Sequence, residues 1–433
     1  MPDHNQDAEE QPGTRFLLFP QAPFLDPTQA PELVEVSSPQ GSVGPGPSND
    51  RMYTVAPAGK QVPYGQYETR RGEPFMFLPP WQGETYEPAY PDEDGNFDYI
   101  DPSDPAFESA HLFASAHFTL DVWEGYFGRP IPWHFSKDHD RLELTMLPAL
   151  DNALIGWGFL ETGGSTKYGG EYRPYSMNFD VVAHEIGHAI IYSEVGIPSP
   201  EKASGEYYGF HESAADLVAL ISVLHFGSVV EDVLNDTRGN LYAINKLNRF
   251  AELSQNEQIR LAANTDVLSQ FVNGWSDEHL LAQPLTGAMF DILIDVYHER
   301  LLLRGLISPE MEDLSDRLET SPIYEDQMQS LFDDRYNEDP EGFRLALLEA
   351  RDYLGSYLAD AWQLLDPDYL SYYGVGQALE QVDRQITGGQ FLPIIRGNFL
   401  TREIGLYTPG PKLDKNGVES HSASVRTMVP VTD

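Results

Sequence analysis

The chain contains no cysteine, so no disulfide framework holds the fold and no thiol serves as nucleophile or metal ligand. Basic residues are scarce. Lys and Arg total 27 against 68 Asp and Glu, a formal net charge of −41, and a field of that sign repels nucleic acid and anionic membranes. Both are therefore excluded as partners. Only 7 of the 27 are Lys, which fits either an acidic soluble protein or a surface adapted to salt. Long apolar runs are also missing: a stretch such as 217–224 falls far short of the roughly 20 residues needed to span a bilayer. The opening segment, MPDHNQDAEEQPGTR, is acidic where a secretory signal would be basic and then apolar. The expectation is a soluble protein, cytoplasmic by default, with non-classical secretion as the alternative.

What is present is ample core material. The 433 residues are 41% hydrophobic and 12% aromatic, enough for one large core or two lobes beside a cleft. Residues 1–105 are rich in Pro, Gly and Tyr, with extended runs at 16–19 and 75–78 between turn signals such as Pro45-Gly46-Pro47 and Asp94-Gly95. From Asp104-Pro105, a cap and first turn, apolar residues recur at helical spacing as far as Gly128. Residues 142–173 alternate short apolar runs with glycines, the pattern of strands and hairpins. Beyond Phe179 the periodicity predicts helices at 180–195, 211–226, 240–263, 284–304, 340–364 and 372–386. The acidic stretch 308–340 reads as a surface excursion, and the residues from Glu403 as a loosely attached tail.

The segment DVVAHEIGHAIIY places His184 and His188 four residues apart with Glu185 between them. On a helix, side chains at i and i+4 share one face, so two imidazoles can reach one ion while the adjacent Glu leans over its open position. Such a pattern arises by chance in roughly a few per cent of comparable chains, so a third ligand must support it. One class of metallopeptidase would need Gly at 191 and His at 194, where Ile191 and Glu194 stand. A Glu on a second helix is the other source. HESAADLVALISVL supplies it: Glu212 and Asp216 are again i and i+4, ahead of an apolar stripe. Glu212 can ligate while Asp216 accepts the second ring N–H of a ligand imidazole. Solvated surface carboxylates are the alternative reading of that pair.

DVVAHEIGHA and HESAAD resemble the two zinc-binding elements of the thermolysin family of gluzincin metallopeptidases, over about residues 104–300. The family usually has Asn where His211 stands. The resemblance implies an α+β, two-lobed fold with the zinc site in a cleft between lobes. Residues 1–105 would form an N-terminal extension, partly β, and 106–195 a β-rich N-terminal lobe with the edge strand and the HEIGH helix. Residues 196–400 would form a mainly helical C-terminal lobe, and 401–433 a polar tail. It further implies one zinc per chain, held by His184, His188 and Glu212, with Glu185 as general base. Asn152 and Ala153 would bind substrate backbone along an edge strand. His279, 67 residues beyond Glu212, would stabilise the transition state. Arg249 would hold a substrate carbonyl, with Arg238 and Arg260 as competing positions. The catalytic Tyr has no clean counterpart, since Ala203 stands near its place; Tyr207 and Tyr208 are the candidates. His111, His117, His134 and His139 lie outside the constellation and read as structural or exposed.

Calcium is not expected at the Asp180 site, because 217–230 offers no carboxylate and calcium prefers six to eight oxygens; Asp180 reads instead as a helix cap. The implied activity is endopeptidase action on peptide or protein substrates. An aminopeptidase is disfavoured, since no Gly-x-Met-Glu-Asn element occurs. A catalytically silent relative used for binding or as a scaffold is the alternative. Substrate identity and oligomeric state are not legible.

Overall fold

The computed structural model describes residues 12–25, 29–167, 170–241, 249–250, 260–261, 264–311, 314 and 325–414. Strands β1 (Gly13–Leu18) and β2 (Glu32–Pro39) form an antiparallel pair. They are followed by β3 (Met52–Val55) and a hairpin of β4 (Gly65–Glu68) and β5 (Pro74–Phe77). Helix α1 (Pro105–Phe127) begins as its sequence requires: the Asp104 side chain accepts from the Ala106 amide, and Pro105 occupies the first turn. It stops at Gly128, whose φ of 65° is the left-handed cap glycine adopts without strain. Phe16 of β1 stacks on Phe97 at 4.9 Å and meets Phe113 of α1. Trp123 at the other end of α1 stacks on Trp362 and donates to Ser222 Oγ at 3.2 Å. This helix is therefore the axle of the core, with strands at one end and helices at the other.

The main sheet has the order β3-β6-β8-β7, with β6 (Leu142–Met146), β7 (Ala153–Ile155) and β8 (Phe159–Thr162). β3, β6 and β8 run parallel, and β7 is antiparallel to β8. Both faces of β6 are buried. Leu142 and Leu144 join the apolar core, while Glu143 and Thr145 face the other way; Glu143 is held there by Tyr53 of β3 and by Tyr64 and Trp81 of the 56–81 segment. Two short strands, β9 (Gly164–Ser165) and β10 (Arg173–Pro174), pair before the helical half begins.

That half comprises α2 (Phe179–Glu194), α3 (Gly205–Val223), α4 (Gly227–Thr237), α5 (Glu278–Leu303), α6 (Glu325–Glu338), α7 (Pro340–Trp362), α8 (Tyr372–Ile386) and α9 (Leu392–Thr401). The chain is thus a mixed α+β protein with small sheets and a mostly helical C-terminal part. Helix α5 is apolar and long enough to cross a bilayer, the one such single helix among the described residues, but most of it is buried inside the protein. Its apolarity is that of a core helix.

Several expectations are corrected. No helix fills 240–263: Arg249–Phe250 (β11) pairs with Arg260–Leu261 (β12), and most of the remainder lies outside the described residues. The acidic 308–340 stretch contains α6, which buries Met328, Phe332 and Tyr336, spaced by four, against the core. Helix α3 starts six residues before the expected 211, because Ser204 caps it through the Tyr207 amide. The tail is not loose as far as Asp414: the Leu413 amide donates to the Trp275 carbonyl, the Trp275 amide donates to the Pro411 carbonyl, and Ile404 is buried. Residues 415–433 lie outside the described residues.

Candidate metal centre

Helix α2 is capped by Asn178, whose side chain accepts from the Val181 amide. The expected cap, Asp180, sits instead in the first turn, where its charge opposes the positive helix end. One face of α2 then carries His184, His188 and Tyr192 at intervals of four. Helix α3 crosses it at Gly187, where a Cβ would lie 2.8 Å from Ala215 Cα and 3.0 Å from Val218 Cβ. The missing side chain lets the two backbones approach, and that approach brings Glu212 up to the imidazoles.

His184, His188 and Glu212 each offer a ligand atom, and the three atoms lie within 4.8 Å of one another. Glu212 Oε2 is 3.5 Å from His184 Nε2 and 3.7 Å from His188 Nε2. Bonds of about 2.0–2.1 Å to a tetrahedral zinc put neighbouring ligand atoms about 3.3 Å apart, so these separations are close to the edges of such a tetrahedron. Two imidazole nitrogens and a carboxylate oxygen are also a donor set that zinc accepts. The residues present therefore fit a metal ion.

The outer nitrogens of both rings are engaged. His184 Nδ1 lies 3.0 Å from Asp216 Oδ1, so its N–H donates there and its Nε2 keeps the lone pair towards Glu212. His188 Nδ1 lies 2.7 Å from His211 Nδ1, with the two ring planes within 15° of parallel. His211 thus stands as a hydrogen-bond partner at the position where the sequence departs from the resemblance. Burial pushes its imidazole down to about 3, against the opposing pull of Glu212. Tyr192 packs on it at 4.2 Å between ring centres.

His279 arrives from the start of α5, the second helical residue after the Asp277 cap. Its Nδ1 is 3.1 Å from Asp277 Oδ1 and its Nε2 is 3.2 Å from Glu212 Oε2. The ring is half-exposed and points into the cluster from the open side. Glu185 is partly buried, between the two imidazoles in sequence. Burial raises the pKa of the Tyr192 hydroxyl, with Glu212, Tyr208 and Glu185 adding to the shift, so this phenol shares the site's electrostatic environment. Of the two tyrosines named from sequence, Tyr207 commits its hydroxyl to the Gly196 carbonyl at 2.9 Å. The buried hydroxyl of Tyr208 has no hydrogen-bond partner among the described residues.

Asn152 is exposed just before β7, and its carbonyl accepts from the Gly163 amide at 2.9 Å. Ala153 opens β7, which is paired on one side only among the described residues. The side chain of Arg249 lies outside the described residues, as does that of Arg260; Arg238 stacks on Tyr336 instead. The four histidines read as structural or exposed have partners: His111 is held between the Phe19 amide and the Ser176 carbonyl, and His117 between Ser38 and Asp121. His134 packs on Phe135, Trp157 and Tyr192, and His139 on Phe135. Sequence reasoning named the three clustered residues, Asp216 and His279. It missed Tyr192, although the i, i+4, i+8 series from His184 was its signal.

No protein-family model matches the chain. No curated protein matches it either. A solved structure of a precursor of protealysin, a metalloproteinase from Serratia proteamaculans, is similar at 10% identity over 59% of this chain and 82% of that one, with a TM-score of 0.34. At that distance the function has to be argued from the site itself.

Proposed function

We propose that the chain is a zinc-dependent endopeptidase of the thermolysin type, with His184, His188 and Glu212 holding the metal. The observation that carries this reading is the cluster itself: two helix-borne imidazoles and a carboxylate converge within 4.8 Å. Their spacing suits a tetrahedral ion, with Asp216 and His211 behind the two rings. When bound, zinc supplies Lewis-acid polarisation of a peptide carbonyl and lowers the pKa of a water towards neutrality.

The chain's own residues do the rest. Glu185 takes the proton of the attacking water and passes it to the leaving amine. His279 directs Nε2 at the developing oxyanion, with the Tyr208 hydroxyl as a second donor. The edge of β7 that is unpaired among the described residues, with Asn152 and Ala153, takes substrate backbone as an added strand. The net charge of −41 discourages polyanionic partners, and the substrates of this site are peptides or proteins.

Metal analysis of the purified chain and of His184→Ala, His188→Ala and Glu212→Ala tests the ligands: one zinc per wild-type chain is expected, and unchanged zinc in all three variants refutes the assignment. Glu185→Gln separates an enzyme from a metal-bound scaffold. It should keep zinc and fold while losing several orders of magnitude in peptide cleavage. Turnover within tenfold of wild type would place the base elsewhere.

A further inference from the structure

Outside the metal site, Lys60 and Glu161 form an ion pair that is buried at both ends. Lys60 lies in the segment between β3 and β4, and Glu161 on β8. They are in direct contact, with side-chain exposures of 1% and 0%. The amine lies 3.0 Å from the centre of the Tyr64 ring and within 5.6 Å of the rings of Phe77 and Trp81, so aromatic walls keep water out. The second carboxyl oxygen of Glu161, Oε2, accepts the Tyr64 backbone N–H at 2.7 Å. Beside the pair is Glu143 on β6, fixed by the Tyr53 and Tyr64 hydroxyls and the Trp81 amide at 2.7, 2.6 and 2.9 Å.

We propose that Lys60 Nζ and Glu161 Cδ are joined by an isopeptide bond, formed autocatalytically with loss of one water. In a dry enclosure an ion pair keeps a large desolvation penalty, whereas an amide carries no charge. Desolvation lowers the pKa of the lysine and raises that of the carboxyl, with the partner's charge and hydrogen bond opposing in each case. A proton moved across the contact leaves a neutral amine beside a carboxylic acid, the reactive forms of both.

The Nζ lone pair then attacks Cδ, and the C=O electron pair moves onto Oε2, where the Tyr64 N–H receives it as an oxyanion donor. On collapse the C–Oε1 bond breaks. Oε1 leaves as water, carrying its own proton and one from Nζ, which touches it. Glu143, whose charge acts on both groups, is the carboxylate that can relay this proton. No oxidant, metal or cofactor is required. Fixed contact between the reactants replaces the activation that free amines and acids would need. The link would tie together positions 101 residues apart.

The test is the denatured intact mass of the full chain, followed by a peptide map. The expected result is a mass about 18 Da below the sequence value, one water, with the Lys60 and Glu161 peptides recovered as one branched species. Lys60→Arg, which keeps the cation but cannot form this amide, should have full mass. Because no cysteine is present, disulfides cannot confuse the reading. The proposal is overturned if wild type has full mass. It is equally overturned if the loss maps to succinimide formation at Asp94-Gly95 while the Lys60 peptide is recovered free.

Discussion

Gly187 offers a direct way to perturb the proposed metal centre without touching a proposed ligand. In Gly187→Ala the new Cβ would sit 2.8 Å from Ala215 Cα, whereas ordinary contact begins near 3.4 Å. Because the nearest atom is backbone, the clash cannot be relieved by a rotamer; α2 and α3 must separate by about 0.6 Å. Ligand positions in metal sites tolerate about 0.2 Å, so Glu212 on α3 is carried beyond its range relative to His184 and His188 on α2. Zinc affinity should fall about 10- to 100-fold. Stability changes less, since overpacking costs about 1–3 kcal/mol while Ala in place of Gly in a helix returns about 1 kcal/mol. The net destabilisation is then about 0–2 kcal/mol. Gly125 in α1 is the control: nothing lies within 4 Å of its would-be Cβ, so Gly125→Ala should stabilise by about 0.5–1 kcal/mol. Competition with a chromophoric chelator gives the affinity, and denaturant titration of the metal-free protein gives the stability. A Gly187→Ala protein that binds zinc as tightly as wild type would refute the claim that this close approach sets the site.

If His279 has the oxyanion role proposed for it, His279→Ala should lower kcat by roughly 10²-fold with zinc retained; a change confined to KM would move His279 to substrate binding. His211→Leu removes the partner of His188 Nδ1 and should weaken zinc binding by about tenfold or more. His211→Asn, which can still accept from that ring, should recover most of the affinity; equal affinities in the two variants would show that the contact positions nothing.

Much of the site was legible because it is written in local spacing. His184 with His188, and Glu212 with Asp216, each sit four residues apart on one helix. The pairs could therefore be placed on faces before any tertiary contact was known. α1 was legible for the same reason, with Asp104-Pro105 at one end and Gly128 at the other. What failed was masked or non-local. In α6 the series Met328, Phe332 and Tyr336 was present but outnumbered by acids that only coat the solvent side. At the start of α3, Gly205 and Gly209 add nothing to the apolar periodicity, and the space their side chains would fill is taken by Trp275 and Tyr372, which are distant in sequence. His211 read as a departure from a pattern, since nothing in sequence shows that its ring meets His188. Lys60 and Glu161 could not be paired at all, being brought together only when the segment after β3 lies across the sheet.

The parallel pairing of β3 with β6 also sets an order of assembly. β7 and β8 are near neighbours in sequence and can zip early, but β3 must close a loop of about 90 residues before its first bond to β6 forms. On the ribosome the strand of this sheet made first therefore waits longest for its partner. Until residues 142–146 have emerged, β3 has no template, and until β3 docks, β6 presents an open edge to other chains. Nascent chains stalled between those points should be the species most in need of a chaperone.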